Sequence, residues 1–96
     1  MIIHGIQQLR EFGEKHSDAK SDLASWETDV EQTQVIWTKP LDVKARYPKV
    51  RLIGKQAVFK ICGNKYRLWV QIAYGAGIIL IKNFGTHNEY DKWKII

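Results

Sequence analysis

Near the C-terminal end the sequence runs Thr86-His87-Asn88-Glu89-Tyr90-Asp91. On a helix His87, Tyr90 and Asp91 fall at i, i+3 and i+4, so an imidazole, a phenol and a carboxylate share one face. Upstream lie Lys60, Lys65 and Arg67, and between the two groups stands Lys82. Cleaving RNA without a metal or cofactor needs a base for the 2′-hydroxyl, a donor for the leaving 5′-oxygen and positive groups for the charge that builds on phosphorus. These residue types supply all three. Arg67 can grip two phosphate oxygens in a fork that lysine cannot imitate, Lys82 or Lys60 can add a point charge, and His87 or Tyr90 can move protons. Aromatic groups can stack a displaced base. Basic strands beside a histidine also occur in proteins that only hold nucleic acid, so composition leaves grip and cleavage both open.

The element that must position these groups is Val58 to Tyr74, two alternating runs meeting at Gly63-Asn64. A Gly-Asn pair between strand-forming residues signals a two-residue hairpin, with Gly supplying positive φ. The register then follows: Cys62 faces Lys65, Ile61 faces Tyr66, Lys60 faces Arg67, Phe59 faces Leu68 and Val58 faces Trp69. One face is apolar, through Phe59, Ile61, Tyr66, Leu68 and Val70. The other carries Lys60, Lys65 and Arg67 beside Cys62 and Trp69. Two cations directly opposite each other are unfavourable, and a bound anion would relieve the repulsion.

Around the hairpin, Met1 to His4 reads as a short edge strand. Ile6, Leu9, Phe12 or Gly13, and His16 form the stripe of a first amphipathic helix. Ser17 and Asp18 can cap a second helix, whose stripe is Ala19, Leu23, Trp26, Val30 and Thr33, so two helices pack as a pair. Trp26 and Trp37 read as packing anchors, and His4 and His16 lack partners at metal-ligand spacing. Lys39-Pro40 is expected to end any helix, leaving residues 41–49 as a basic connecting loop with at most one helical turn. Lys44, Arg46, Lys49, Arg51 and Lys55 crowd the approach to the hairpin, where they can meet phosphates or simply solvate a loop. After Gly75-Ala76-Gly77, Ile78 to Phe84 reads as a third antiparallel strand covered on both faces, from which Lys82 must find an exit. Thr86 with Glu89 has capping-box spacing, opening a short helix through Ile95, with Trp93 and Ile96 docking its opposite side on the sheet.

With 96 residues and 45% hydrophobic content, the chain reads as a single domain over 1–96 with one modest core. A lone cysteine, Cys62, rules out an internal disulfide framework. No run reaches membrane-spanning length and no signal peptide opens the chain, so the expected location is cytoplasmic, with no membrane partner. The formal charge of +5 is polarised: residues 1–33 carry three Lys/Arg against seven Asp/Glu, a net −4, and residues 34–96 carry twelve against three, a net +9. Such a dipole favours a polyanionic partner.

The segments Trp37-x-x-Pro40-x-Asp42-Val43-Lys44, Tyr47-Pro48, Val58-Phe59-x-Ile61-x-Gly63-Asn64-Lys65-Tyr66-Arg67-Leu68 and Thr86-His87-x-x-Tyr90-Asp91 together resemble the HigB-type toxins of bacterial toxin–antitoxin pairs, within the RelE/ParE superfamily. The resemblance spans nearly the whole chain. It implies a RelE-like α+β fold: a short N-terminal strand, a two-helix hairpin, a twisted antiparallel sheet of three to four strands and a short C-terminal helix. It further implies an mRNA endonuclease acting in the A site of the 70S ribosome, and a cognate HigA-type antitoxin of helix-turn-helix character. Carried over by position, it points to Asn64, Lys65, Arg67, Lys82, His87 and Tyr90. In these roles Arg67 stabilises the transition state, His87 acts as general acid or base, Tyr90 orients or donates a proton, and Lys82 neutralises phosphate. Lys60, Asn64, Lys65, Lys44 and Arg46 are the expected RNA-binding set. Lys60 departs from the short polar residue often found at its position in the family. Structural duties compete for the same residues: Arg67 pairing with Asp91, His87 capping its helix, Asn64 serving only the turn. Some superfamily members poison DNA gyrase without cutting RNA, and a noncatalytic nucleic-acid-binding module would need the same basic face.

Overall fold

The structure is a computed structural model that describes residues 1–32 and 36–95. In chain order the elements are β1 (Ile2–His4), α1 (Ile6–Lys15), a 3-10 turn (Ser17–Ala19), α2 (Lys20–Glu31), α3 (Pro40–Arg46), β2 (Arg51–Ile53), β3 (Gln56–Ile61), β4 (Tyr66–Ala73), β5 (Ile78–Thr86) and α4 (His87–Tyr90). The five strands form one open sheet in the order β1-β5-β4-β3-β2, with β1 parallel to β5 and every other pair antiparallel. The expected edge strand at the N-terminus is therefore present. The sheet gains β2, which lies between the expected 41–49 loop and the hairpin, where the sequence suggested no element.

The β3–β4 register is the expected one, from Gln56 opposite Gln71 through Lys60 opposite Arg67 to Ile61 opposite Tyr66. The turn itself differs. Positive φ falls on Cys62 (55°) and Gly63 (65°), not on Gly63 and Asn64, and the strands stop at Ile61 and Tyr66. Cys62 tolerates the left-handed conformation because its neighbours hold it: its N–H donates to the Asp22 carboxylate at 3.1 Å, and its thiol reaches the Asp18 carbonyl at 3.3 Å. Residues beyond the last strand pair thus turn away from the Lys60–Arg67 face and toward the helices.

Phe59, Ile61, Tyr66, Leu68, Val70, Ile79, Ile81 and Phe84 are buried beneath the helices on one side of the sheet. Helix α1 enters through Gly5 at φ 102°, where an added Cβ would stand 3.0 Å from the Ile81 Cβ. Helix α2 lays down Leu23, Trp26 and Val30 as expected; Thr33, the last residue of that expected stripe, lies outside the described residues. Two aromatic groups fill the core. Phe59 meets Trp26 at 5.4 Å, Tyr47 at 5.0 Å and Trp37 at 6.3 Å between ring centroids, while Phe84 meets Phe12, Tyr66 and His16 at 5.4, 5.1 and 5.4 Å. The expected structural places of Trp26, Trp37 and His16 follow from this packing.

Three local expectations are corrected by competing interactions. Ser17 and Asp18 do not cap α2: the segment forms a 3-10 turn, and the Asp18 carboxylate instead accepts from the Tyr66 hydroxyl at 2.8 Å and from the Lys65 ammonium. Pro40 starts a helix where the sequence reading ended one. At the first helical position its missing N–H costs nothing, and the Asp42 carboxylate gathers the N–H groups of Thr38 and Lys39 and the Thr38 hydroxyl. Strand β5 is covered on one face only from Ile78 to Lys82, with Leu80 and Lys82 exposed, because the helices lie on the other side and the C-terminal segment covers only its end near Gly85.

Phe59 touches three rings at once, so Phe59→Ala should cost about 3–5 kcal/mol, read as a lowered urea midpoint with an unchanged slope. Acid should destabilise the fold as well. The Lys65 and Tyr66 hydrogen bonds hold Asp18 below its ordinary value, Arg46 and then Tyr47 do so for Asp29, and backbone N–H groups do so for Asp42 and Glu89. Lowered folded values mean stabilisation that is complete above roughly pH 5 and lost as pH falls through about 4 and below. A urea midpoint unchanged between pH 5 and pH 3 would contradict this, and Asp29→Asn should flatten the decline.

Candidate functional site

The outer face of the sheet, opposite the helices, is where the chemistry-bearing residues meet. Cross-strand rows place Arg51, Val58 and Trp69 side by side, and next to them Lys60, Arg67 and Gly85. The C-terminal segment folds back over this face. Helix α4 begins at Thr86, whose hydroxyl accepts from the Glu89 N–H at 3.2 Å while the Glu89 carboxylate accepts from the Thr86 N–H at 2.9 Å, the expected capping box. A backbone bond from the His87 N–H to the Lys65 carbonyl, 3.3 Å long, pins the helix start to the hairpin. The helix closes after a single turn at Tyr90, shorter than the expected span to Ile95, so Trp93 swings onto the sheet on the same side as Tyr90; Ile96, also expected to dock, lies outside the described residues.

Tyr90 is the centre of the arrangement. The guanidinium of Arg67 lies 5.5 Å from its ring centroid and that of Arg51 5.8 Å, with Arg51 Nη1 also donating to the Tyr90 hydroxyl. His87 stands edge-on at 6.0 Å and Trp93 at 5.8 Å; Trp93 in turn meets Trp69 at 5.9 Å. Such ring–cation contacts stabilise a desolvated guanidinium through the ring quadrupole. His87 Nδ1 faces Asp91 Oδ2 at 3.3 Å, an i, i+4 pair between two half-exposed side chains. The proposed alternatives of Arg67 pairing with Asp91 and of His87 capping the helix are thereby replaced: Asp91 serves His87, and Thr86 is the cap.

Arg67 is 6% exposed. Its Nη1 donates to the carbonyls of Asn64 at 2.9 Å and Tyr66 at 3.1 Å, and no carboxylate pairs with it among the described residues. Asn64 therefore supports Arg67 through its backbone, and its side chain is exposed at the turn. Lys60 stands opposite Arg67, so the like-charged pair read from the sequence is present.

The other candidate residues are dispersed. Lys65 leaves the face to pair with Asp18 and to lie 5.4 Å from the Tyr66 ring. Lys82 is exposed in a β-bulge of β5, opposite Trp69 with Asn83, and three residues from Gly85, the partner of Arg67; at about 3.3 Å per residue this is about 10 Å along the strand. Lys44 donates to the Val50 carbonyl at 3.0 Å, and Arg46 forks onto Asp29, joined there by the Tyr47 hydroxyl. Arg46 and Lys60 also border an open groove of about 670 Å³ between α2, the α3–β2 connection and β3, floored by Trp26 and Phe59. Arg51, expected only among the basic residues that approach the hairpin, joins Trp69 and Trp93 beside Tyr90; pairing of Arg51 with Val58 on β2 is what brings it there. Among the described residues no three His, Cys, Asp or Glu side chains gather to hold a metal ion, and no helix is long and apolar enough to cross a membrane.

The fold is an α+β sheet with helices on one side and a cationic, aromatic cluster on the other. The HigB toxin family, the RelE-like toxic component of a toxin–antitoxin system, matches residues 19–93, and the chain belongs to it. Membership makes the protein a toxin with an antitoxin as its partner. No curated protein matches the chain.

Gly85 lets the C-terminal segment lie flat: a Cβ there would meet Trp93 Cζ2 and the Glu89 Cβ and Oε1 at 3.1 Å. Gly85→Val should cost roughly 1–3 kcal/mol through overpacking and release residues 87–93. Amide exchange should accelerate there while β4 stays protected. Unchanged protection of α4 would remove Gly85 from this role.

Proposed function

We propose that this toxin is a ribosome-dependent mRNA endonuclease that cuts by 2′-hydroxyl attack and so halts translation. The observation that carries the reading is Arg67, a residue 6% exposed, without an acidic partner among the described residues and with Lys60 opposite it. A buried charge of this kind is costly unless an anion completes its surroundings. A scissile phosphate is such an anion.

In this reading the N–H groups of Arg67 not bonded to Asn64 and Tyr66 take phosphate oxygens, and Lys60 adds charge from the neighbouring strand. Lys82 acts further along β5, on the RNA backbone. His87, held by Asp91 through Nδ1, uses Nε2 to take the 2′-hydroxyl proton or to protonate the departing 5′-oxygen. Tyr90, its hydroxyl fixed by Arg51, serves the complementary transfer or orients the phosphate. Asn64, Lys65, Lys44 and Arg46 extend the surface that RNA can follow. The substrate is mRNA in the A site of the 70S ribosome in the cytoplasm, and the silencing partner is a HigA-type antitoxin with a helix-turn-helix fold. The family description and the +9 charge of residues 34–96 support this substrate class.

Primer extension on cellular transcripts after brief induction should reveal discrete new 5′ ends. Arg67→Ala should restore growth, losing roughly 3 kcal/mol of transition-state stabilisation; Arg67→Lys, which keeps the charge, guards against simple misfolding. His87→Ala should lower turnover about 10²- to 10⁴-fold with RNA binding retained. Growth arrest with intact transcripts would overturn the reading, and DNA breaks with a supercoiling defect under those conditions would assign the toxin to gyrase poisoning.

A further inference from the structure

Adjoining the Arg67–His87 arrangement, and sharing Tyr90 and Asp91 with it, the C-terminal segment borders a half-open cavity of about 470 Å³ lined by Arg51, Tyr90, Asp91, Trp93, Lys94 and Ile95. We infer that this cavity is a nucleotide subsite, taking the base and phosphate of a ribonucleotide that flanks the scissile phosphate. The inference rests on the nuclease reading for its substrate and adds to it a location and a set of residues.

Three observations on the wall agree in chemistry. The volume lies in the range of small-ligand sites. Trp93 is half-buried, held by Trp69 at 5.9 Å and Tyr90 at 5.8 Å, so its indole is fixed before any ligand arrives. A pre-ordered ring is what base stacking requires, since little side-chain entropy is then lost on binding. Arg51 and Lys94 supply two exposed cations, against the single carboxylate of Asp91, which already faces His87 Nδ1 at 3.3 Å. The wall therefore keeps a net positive charge suited to one phosphate, with an aromatic surface beside it for the base.

Arg51 also explains why the cavity adjoins the reaction. Its Nη1 donates to the Tyr90 hydroxyl, and its guanidinium lies 5.8 Å from the Tyr90 ring, opposite Val58 on the edge strand β2. A phosphate engaged by the remaining Arg51 N–H groups would neighbour the phosphate held at Arg67, because the two guanidinium groups lie 5.8 and 5.5 Å from the Tyr90 ring centroid. Tyr90 is the shared wall of two adjacent phosphate positions, and the cavity selects for single-stranded RNA with an unstacked base.

The test is binding of a 2′-O-methyl trinucleotide, which cannot be cut by 2′-hydroxyl attack, compared with the same backbone carrying an abasic nucleotide at each position in turn. One abasic position should weaken binding about five- to tenfold, and Trp93→Leu should abolish that difference. Arg51→Gln should weaken all ligands and lower the slope of log K against log salt by about 0.7, one phosphate contact on a single strand. Lys94→Gln, on an exposed side chain, gives a second charge variant if Arg51→Gln disturbs Tyr90. Equal binding of all abasic ligands, with Arg51→Gln and Lys94→Gln leaving affinity and salt slope unchanged, would overturn the subsite even if transcripts are still cut. Native protein that shows the base-dependent binding but cuts no transcript would overturn the nuclease reading and leave the subsite standing.

Discussion

The Tyr90 ring resting against the Arg67 guanidinium is the contact on which the outer face depends. Arg67 comes from the middle of a strand, where the hairpin register fixes its position, and Tyr90 comes from a one-turn helix with little stability of its own. So short a helix cannot persist on propensity. It persists because the Thr86–Glu89 capping box satisfies its first N–H groups, the His87 N–H bonds to the hairpin, and the absence of a side chain at Gly85 lets the following Trp93 reach Trp69. Remove that docking and Arg67 loses its aromatic cover, Arg51 loses the Tyr90 hydroxyl, and His87 has no fixed distance from any cation.

The two faces of the sheet solve different problems. Beneath the helices the rings of Phe59 and Phe84 organise two aromatic groups that lock β3 and β5 to the helices and to Tyr47 after α3. Acidic residues of the first third of the chain finish that side: Asp18 and Asp22 hold the hairpin turn, and Asp29 holds Arg46 and Tyr47. Several cations that look available in the sequence are consumed in this way. The outer face keeps its cations because no acidic element crosses it except α4, whose carboxylates are committed locally, Glu89 to the cap and Asp91 to His87. The charge separation of −4 and +9 is therefore partly spent on folding, through the Lys65–Asp18 and Arg46–Asp29 pairs.

The outer-face cluster gathers a buried arginine and an imidazole around the phenol ring of Tyr90. The groove between α2 and β3 lies toward the helices and is lined by a different set of residues, with Lys60 and Asn64 at its border with the outer face.

The sequence by itself determined the pieces governed by near neighbours: the β3–β4 register, because pairing around a turn admits one arithmetic; the α1 and α2 stripes; the Thr86–Glu89 cap; and the clustering of His87 with Tyr90 and Asp91, which is a property of helical spacing. Tertiary structure decided everything that turned on competition between distant partners. Asp18 gave up capping α2 because Lys65 and Tyr66, 47 and 48 residues away, offered it charge-assisted hydrogen bonds. Lys65 left the cationic face for the same reason. Arg51 joined the site only because β2 pairs with β3 and carries it to Tyr90, 39 residues on. Local spacing fixes which side chains share a face, but which charged group wins a given partner is settled by desolvation and proximity in three dimensions, and the chain order does not contain those distances.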